Sequence, residues 1–323
     1  PHTAVRECAN MGVISGAGNG LGGISGVNFG AIVLCANKVA FGTSQQNYVG
    51  GVVGVNACAA ANTAVGVSGS YYQGVADSSY STATVAGGSY VGGVAGINLT
   101  NAVLSWSFSY TGNTAYDPAA GVAASGDNVG GVVGENQGTV ELGAVGPTSG
   151  TMTVSGANNV GGVAGHNTSA AVLGAYYYYA VIQGDSQVRS TVRVSGTSVV
   201  GGVIGRNEGS ITPVVGNSYL RNYASVDAAG SYAGGIVGLQ KGGTVSYTKN
   251  YGRVHAADSY AGGIVSRVEA ASVVAQSVDF GNVVADNGIA GGIAASNAGT
   301  VMQCAVGQAG NTVSISAKAD YMG

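Results

Sequence analysis

Small and apolar residues follow one pattern that returns along the whole chain. Its clearest copy runs from Tyr90 to Asn98, where two glycines precede a β-branched residue, an alternation of small and apolar residues, and an asparagine. Clean copies occupy residues 48–56, 90–98, 128–136, 159–167 and 199–207, and looser copies occupy 20–28, 232–240, 260–268 and 289–297. Self-similarity at such a period is typical of repeat proteins, in which each repeat forms one supersecondary unit.

Each repeat contains three short stretches with β-strand character. The first holds the glycine pair and its β-branched residue, which suits a strand packed on a core. The second often reads Asn-x-Gly-x-Val/Ile, and the third is a short Val/Ile segment before the next glycine pair. With no helical periodicity between them, they predict an all-β parallel β-solenoid (β-helix) of about nine to ten coils, three strands per coil, at a rise of about 4.8 Å. We expect residues 1–323 to form this single domain, because one coil cannot bury its own apolar face.

An asparagine ends most copies of the first stretch. Asparagine tolerates a left-handed backbone and bonds its own main chain, so these residues predict the corners of the coil. Stacked on one corner of successive coils, the amides are expected to form a ladder of side-chain hydrogen bonds. The predicted corners are Asn28, Asn56, Asn98, Asn136, Asn167, Asn207 and Asn297, with Gln240 as a substitute.

Composition narrows the class of protein. Charged residues make up 8% and glycine 59 of 323 residues, against about 25% and about 7% in ordinary soluble domains. This is not a disordered composition, and no apolar run approaches the ~18 residues of a membrane helix, so we expect no membrane span. Lys and Arg are absent between Val39 and Gln187. This uneven distribution of basic residues either reflects an ordinary solvated surface or provides charge complementarity to neighbouring molecules. The chain is not basic enough to indicate a nucleic-acid partner.

The recurring Gly-Gly-Val-x-Gly-x-Asn resembles the GLUG repeat of bacterial surface proteins, which occurs in adhesin-like proteins and in IgA-specific metallopeptidases. The resemblance implies an extracellular or cell-surface location and a structural or adhesive task. It does not imply protease activity, because those peptidases carry His-Glu-x-x-His in a separate zinc domain. The three histidines of this chain, His2, His166 and His255, lack that spacing.

No set of residues predicts catalysis, a cofactor or a metal site. The glycine pairs lack the following helix and Lys-Ser/Thr that a phosphate-binding loop needs. They also lack the Asp that serial calcium sites on β-rolls require. The acidic residues do not cluster, although Glu135 and Glu141 flank one corner, which keeps a carbohydrate-active β-helix enzyme as a further alternative. We therefore predict that the protein is not an enzyme and binds no cofactor.

Three of the four cysteines share one position in the repeat. Cys8, Cys35 and Cys304 each lie three residues after the Val or Ile of the second stretch. Cys8 and Cys35 are therefore expected on adjacent coils, within the span of a disulfide. The alternative is a stack of buried free thiols that act as small hydrophobic groups.

Tyrosine is the other conspicuous residue, at 18 copies. The run Tyr176, Tyr177, Tyr178 and Tyr179 must expose some rings on any strand, because side chains alternate between faces. Such a patch is either an exposed contact surface for glycans or proteins of a host or matrix, or a loop packed against the solenoid.

The two ends lack the polar caps that solenoids normally carry. A tenth copy of the pattern begins at Tyr321, and the sequence opens where a second stretch begins. The leading hypothesis is a structural extracellular protein whose identical subunits stack head to tail into a surface filament, a contact that does not close. Cys304 would then meet Cys8 of the next subunit. The alternative is a repeat segment of a long cell-surface adhesin, whose ends continue covalently.

Overall fold

The predicted fold class is confirmed. A computed structural model describes residues 4–58, 74–77, 79–107, 121–142, 144–147, 150–169, 171–173, 187–211 and 219–318. Within these ranges the chain forms strands and turns and no helix. The strands pair in parallel, each with its equivalents in the preceding and following coils. The protein is an all-β parallel solenoid, and its strands form five ladders, which we call A to E in the order of the chain from a glycine pair.

Ladder A contains the Val-Gly strands that open the repeated pattern, and ladder B contains the strands that end at the predicted corners. Ladder A consists of Leu21–Gly22, Val49–Gly50, Val91–Gly92, Val129–Gly130, Val160–Gly161, Val199–Gly201, Tyr232–Gly234 and the second halves of Val254–Gly262 and Val283–Gly291. Ladder B consists of Ser25–Asn28, Val53–Asn56, Ala95–Asn98, Val133–Asn136, Ala164–Asn167, Ile204–Asn207, Val237–Gln240, Val265–Val268 and Ala294–Asn297.

Ladder C corresponds to the second predicted stretch, and ladder E to the third. Ladder C consists of Ala4–Arg6, Ala31–Val33, Val75–Asp77, Val103–Ser107, Thr139–Leu142, Val172–Leu173, Ser210–Ile211, Thr244–Ser246, Val273–Ala275 and Thr300–Met302. Ladder E consists of Val85–Gly87, Gly121–Ala124, Met152–Gly156, Val192–Gly196, Ser225–Ala228, the first halves of Val254–Gly262 and Val283–Gly291, and Ile315–Ala317.

Ladder D lies between ladders C and E and has no counterpart in the three predicted stretches. It forms a sheet of three strands near the N-terminus and a sheet of six strands further along. Its strands are Ala9–Asn10, Ala36–Asn37, Tyr80–Ser81, Ala144–Val145, Gln187–Val188, Leu220–Asn222, Thr248–Asn250, Val278–Asp279 and Ala305–Val306.

A complete coil therefore contains more strands than the three predicted stretches. One coil runs through Val199–Gly201, Ile204–Asn207, Ser210–Ile211, Leu220–Asn222 and Ser225–Ala228. The first stretch splits into two strands because the chain bends at the glycine pair, and ladder D adds a strand. The prediction of three strands per coil was too low for these physical reasons.

The bend needs two glycines because each would place a Cβ in occupied space. A Cβ on Gly50 would lie 1.9 Å from the carbonyl oxygen of Val53, three residues further along the same bend. A Cβ on Gly51 would lie 2.1 Å from the carbonyl oxygen of Gly93 in the next coil. Neither distance is possible for a real side chain, so the tight bend and the close stacking of coils both select glycine.

The core runs along the axis of the solenoid. The β-branched residue after each glycine pair points into it, and Val52, Val94 and Val132 are each 0% exposed. Burying one such side chain stabilises the fold by about 1.5–3 kcal/mol. Because the next coil supplies most of the covering surface, the apolar interior depends on stacking.

Candidate functional site: polar columns and end faces

The amides at the predicted corners form one continuous column inside ladder B. The Nδ2 of each asparagine donates to the side-chain oxygen of its equivalent in the next coil, with donor–acceptor distances of 2.7 to 2.9 Å. All of these donors point toward the C-terminal end. The members of this column are Asn28, Asn56, Asn98, Asn136, Asn167, Asn207 and Gln240.

Asn297 lies in line with the column but outside it. Val268 occupies the intervening coil and pairs with Gln240 on one side and Asn297 on the other. An apolar side chain cannot relay the hydrogen bond, so the column ends at Gln240. Asn297 is exposed, and its Oδ1 accepts a hydrogen bond from the backbone amide of Gly299 at 3.1 Å.

Ladder D contains a second polar column that the sequence reasoning missed. Near the N-terminus Asn10 donates to Asn37 at 2.9 Å, and Asn37 donates to Ser81 at 3.1 Å. Further along, Asn222 donates to Asn250 and Asn250 to Asp279, both at 2.9 Å. These side chains face the glycine pairs across the interior, and a Cβ on Gly202 would lie 2.3 Å from the Nδ2 of Asn222. The second glycine of the pair therefore also makes room for an inward polar side chain.

Asp279 ends this second column with a buried carboxyl group. It is 0% exposed, and its Oδ1 accepts hydrogen bonds from Asn250 at 2.9 Å and from the amide of Gly281 at 3.1 Å. Its Oδ2 is buried and has no hydrogen-bond partner among the described residues. Burial raises the pKa of Asp279 to about 7, and the two accepted hydrogen bonds oppose that rise only in part.

The cysteines that share a repeat position lie at the entry to ladder D. Cys8, Cys35 and Cys304 each directly precede a strand of that ladder, and the amide of Ala36 donates to the carbonyl of Cys8 at 2.8 Å. All are free thiols in the structure, as is Cys58. Burial raises the pKa of the Cys35 thiol, and the neighbouring Cys8 thiol contributes to that rise.

Aromatic side chains stack along the axis on the outer walls. The rings of Tyr223, Tyr251 and Phe280 follow one another at centroid separations of 4.6 and 4.8 Å, with interplanar angles of 7° and 16°. Tyr48 and Tyr90 stack in the same way at 4.8 Å. Rings stacked in this way cover one another's faces within each column. The predicted patch at Tyr176, Tyr177, Tyr178 and Tyr179 lies outside the described residues.

Charged side chains cluster on the outer face of ladder B. Nδ1 of His166 lies 3.1 Å from Oε2 of Glu135, and its Nε2 lies 3.6 Å from Oε1 of Glu208, which also pairs with Arg206. Burial works against the charged form of Glu135, but hydrogen bonds from His166 and Gln137 outweigh it and lower the pKa of this carboxyl group. The cluster joins three successive coils on their outer face. Nε2 of His166 is buried and makes no hydrogen bond among the described residues.

The two end faces expose positions whose partners in the neighbouring coil are buried. Val5 is 41% exposed, whereas its partner in the next coil, Ile32, is 1% exposed. At the opposite end Ile315 is 43% exposed, and its partner Val283 is 0% exposed. Val306 is likewise 41% exposed at the end of ladder D. Both faces therefore present inward-pointing apolar side chains beside strand edges that lack a neighbour among the described residues.

No protein-family model, no curated protein and no solved structure matches this chain. In the described ranges, no group of three or more His, Cys, Asp or Glu side chains has an arrangement that could hold a metal ion. No helix in those ranges is long and apolar enough to cross a membrane. The described side chains are arranged in columns that run along the stack of coils.

Proposed function

We propose that this protein is a structural subunit of an extracellular, cell-surface filament in which identical solenoids stack head to tail. The observation that carries the proposal is the pair of open end faces, where Val5, Val306 and Ile315 are exposed although their equivalents inside the stack are buried. Exposed strand edges beside apolar side chains favour pairing with another chain. The N-terminal coils of a second copy offer matching strands in ladders A, B, C and D, whereas ladder E begins only at Val85–Gly87. The resemblance to surface-protein repeats supports the proposed location.

The polar groups at the two ends support the same direction of stacking. Within the chain, donors of the ladder B column point toward the C-terminal end, so the first member, Asn28, offers its Oδ1 to a preceding coil. Asn297 lies on the last strand of that ladder and has an Nδ2 that could donate to it. A carbonyl oxygen has two lone pairs, so the hydrogen bond from Gly30 to Asn28 leaves capacity for another. Cys304 would face Cys8 in the same arrangement.

Single-face variants test this proposal. Val5→Lys places a charge on the N-terminal face, and Ile315→Lys places one on the C-terminal face, while Ala123→Lys alters an exposed position on the side wall. We expect negative-stain electron microscopy to show fibres for the wild type and for Ala123→Lys, and none for either end variant alone. An equimolar mixture of the two end variants should stop at dimers, because only one intact pair of faces remains.

Fibres of the assembled protein should diffract with a meridional spacing of about 4.8 Å along the fibre axis. Discrete short rods of the wild type at high concentration would contradict the proposal. Fibres that form equally well from both end variants would contradict it as well.

The same open faces fit a second function, that of a repeat segment within a long cell-surface adhesin. In that case the next coils are part of the same polypeptide, and the faces are covered covalently. The intact mass of the mature protein, isolated from its native source, distinguishes the two functions. A polypeptide much longer than 323 residues supports the adhesin, and one of about this length supports the filament.

A further inference from the structure

Asp279 occupies a position that an amide occupies in the two preceding coils. The Nδ2 groups of Asn222 and Asn250 donate to the carbonyl oxygens of Ala224 and Gly252, which lie two residues further along each corner. The equivalent atom of Asp279 is Oδ2, which has no hydrogen-bond partner among the described residues. A protonated carboxyl group would carry its hydrogen there and could donate as the amides do. An ionised group instead places a second buried negative oxygen where only a donor fits.

The surroundings of Asp279 offer the ionised form no compensating charge. Asn250 lies below it, Val306 is its partner in the coil above, and Gly281 closes its own corner. Across the interior it faces Gly263, whose Cβ would lie 2.2 Å from Oδ2. None of these residues is titratable, and no charged group of the described residues contributes to the raised pKa.

The strand that contains Asp279 also pairs with Ala305–Val306, which forms part of the C-terminal end face. The backbone carbonyl of Asp279 accepts a hydrogen bond from the amide of Gly307 at 2.7 Å. Its strand is the only partner of Ala305–Val306 in ladder D among the described residues. Ionisation at Asp279 therefore acts on the strand against which the next subunit would stack.

We propose that Asp279 is a proton-operated latch for the C-terminal end face: the neutral side chain holds Ala305–Val306 in place, and loss of its proton to solvent loosens that strand. This inference rests on the head-to-tail filament for its consequence, which is that mild acid favours assembly.

Proton linkage determines whether the stability of the last coil rises or falls with pH. A carboxyl group whose pKa rises from 3.8 in the open coil to about 7 in the folded coil binds more protons when folded. The stability of the last coil therefore falls as the pH rises from about 4 to about 7, and it levels off above that value. Between these pH values the equilibrium constant for opening of the last coil is expected to increase up to about tenfold per pH unit.

Hydrogen exchange measures the latch directly on the subunit. The protection factor of the Gly307 amide, corrected for the intrinsic exchange rate, should fall up to about a hundredfold between pH 5 and pH 7 in the wild type. It should stay flat in Asp279→Asn, whose amide supplies the missing donor. Asp279→Ser is a second variant, because Ser81 already occupies an equivalent position in ladder D. Asp258→Asn, which neutralises an exposed acid, should behave as the wild type.

Assembly is measured in parallel as the critical concentration for fibres over the same pH range. The latch predicts a critical concentration that rises with pH in the wild type and not in Asp279→Asn. Identical pH profiles for these two proteins in both measurements would overturn the latch, even if fibres form. A pH-dependent Gly307 amide without fibres at any pH would support the latch on the subunit and contradict the proposed filament.

Discussion

Asn98 illustrates how one side chain joins three coils. It is fully buried, its Oδ1 accepts a hydrogen bond from Asn56 at 2.9 Å, and its Nδ2 donates to Asn136 at 2.8 Å. The same Nδ2 lies within hydrogen-bond distance of the carbonyl of Ala102, at 3.3 Å. Buried polar groups are stable only when they have partners, so each member of the column depends on both neighbours.

Replacing Asn98 by alanine should therefore cost about 1–3 kcal/mol in the free energy of unfolding, because the change removes two buried hydrogen bonds, one to Asn56 and one to Asn136. The measurement is the midpoint of urea unfolding followed by circular dichroism. Asn297→Ala is the matched control, because this residue is exposed and lies outside the column, and it should change stability by less than about 0.5 kcal/mol. Equal decreases in the free energy of unfolding of the two variants would show that the hydrogen bonds of the column make no particular contribution to stability.

At the scale of the element, the glycine pair combines a bend with a space for the opposite wall. The first glycine allows the chain to turn from ladder A into ladder B. The second lies under the next coil and opposite an inward side chain of ladder D, as Gly202 does with Asn222. Two neighbouring residues thus satisfy separate steric requirements, which explains why the pair recurs as a pair.

Gly202→Ala should destabilise the protein by about 1–3 kcal/mol, the usual cost of overpacking. The added Cβ would lie 2.2 Å from the carbonyl oxygen of Gly235 and 2.3 Å from Nδ2 of Asn222, so neighbouring coils would have to separate. Thermal unfolding compares it with Gly18→Ala, where a Cβ would meet nothing within 4 Å. A variant at Gly202 that is as stable as the one at Gly18 would refute the steric account.

The sequence predicts ladders A, B, C and E because their residues recur near the glycine pair. Ladder D cannot be predicted from the sequence, for two physical reasons. Its inward position accepts several residue types, including Asn250, Ser81 and Val188, because either a hydrogen bond or apolar packing can fill it. Its distance from the glycine pair also varies with loop length, from 30 residues between Gly51 and Ser81 to 14 between Gly23 and Asn37.

The interruption of the corner column illustrates a second kind of feature that the sequence predicts only in part. The copy at residues 260–268 ends in Val268 where other copies carry an amide. That difference is visible in the sequence, but its effect on Asn297 follows only from the pairing of Val268 with both neighbours. The burial of Asp279 is equally unpredictable, since nothing in the sequence distinguishes a buried acidic residue from a solvated one.

At the scale of the whole molecule, stability is expected to vary along the stack. A repeat array is held by contacts between neighbouring coils, so a central coil has two partners and an end coil has one. The exposure of Val5 and Ile315 at the two ends reflects this difference.

Hydrogen exchange of the unassembled subunit should therefore be slowest in the middle. The amide of Val203, which donates to Ile236 at 3.0 Å, should be at least about tenfold more protected than that of Glu7, which donates to Val33 at 3.0 Å. Assembly should raise the protection of Glu7 and leave that of Val203 nearly unchanged. Uniform protection along the subunit would indicate that the solenoid opens as one cooperative unit.

The direction of the ladder hydrogen bonds also has a mechanical consequence. Because coils pair in parallel one above another in all five ladders, the bonds between coils run along the axis and not around it. A pull on both ends of the rod loads every ladder between two coils in tension at the same moment. A pull on the free end of one chain meets only one strand at a time and peels it from the coil below. The solenoid should therefore resist stretching along its length far better than unwinding from a terminus.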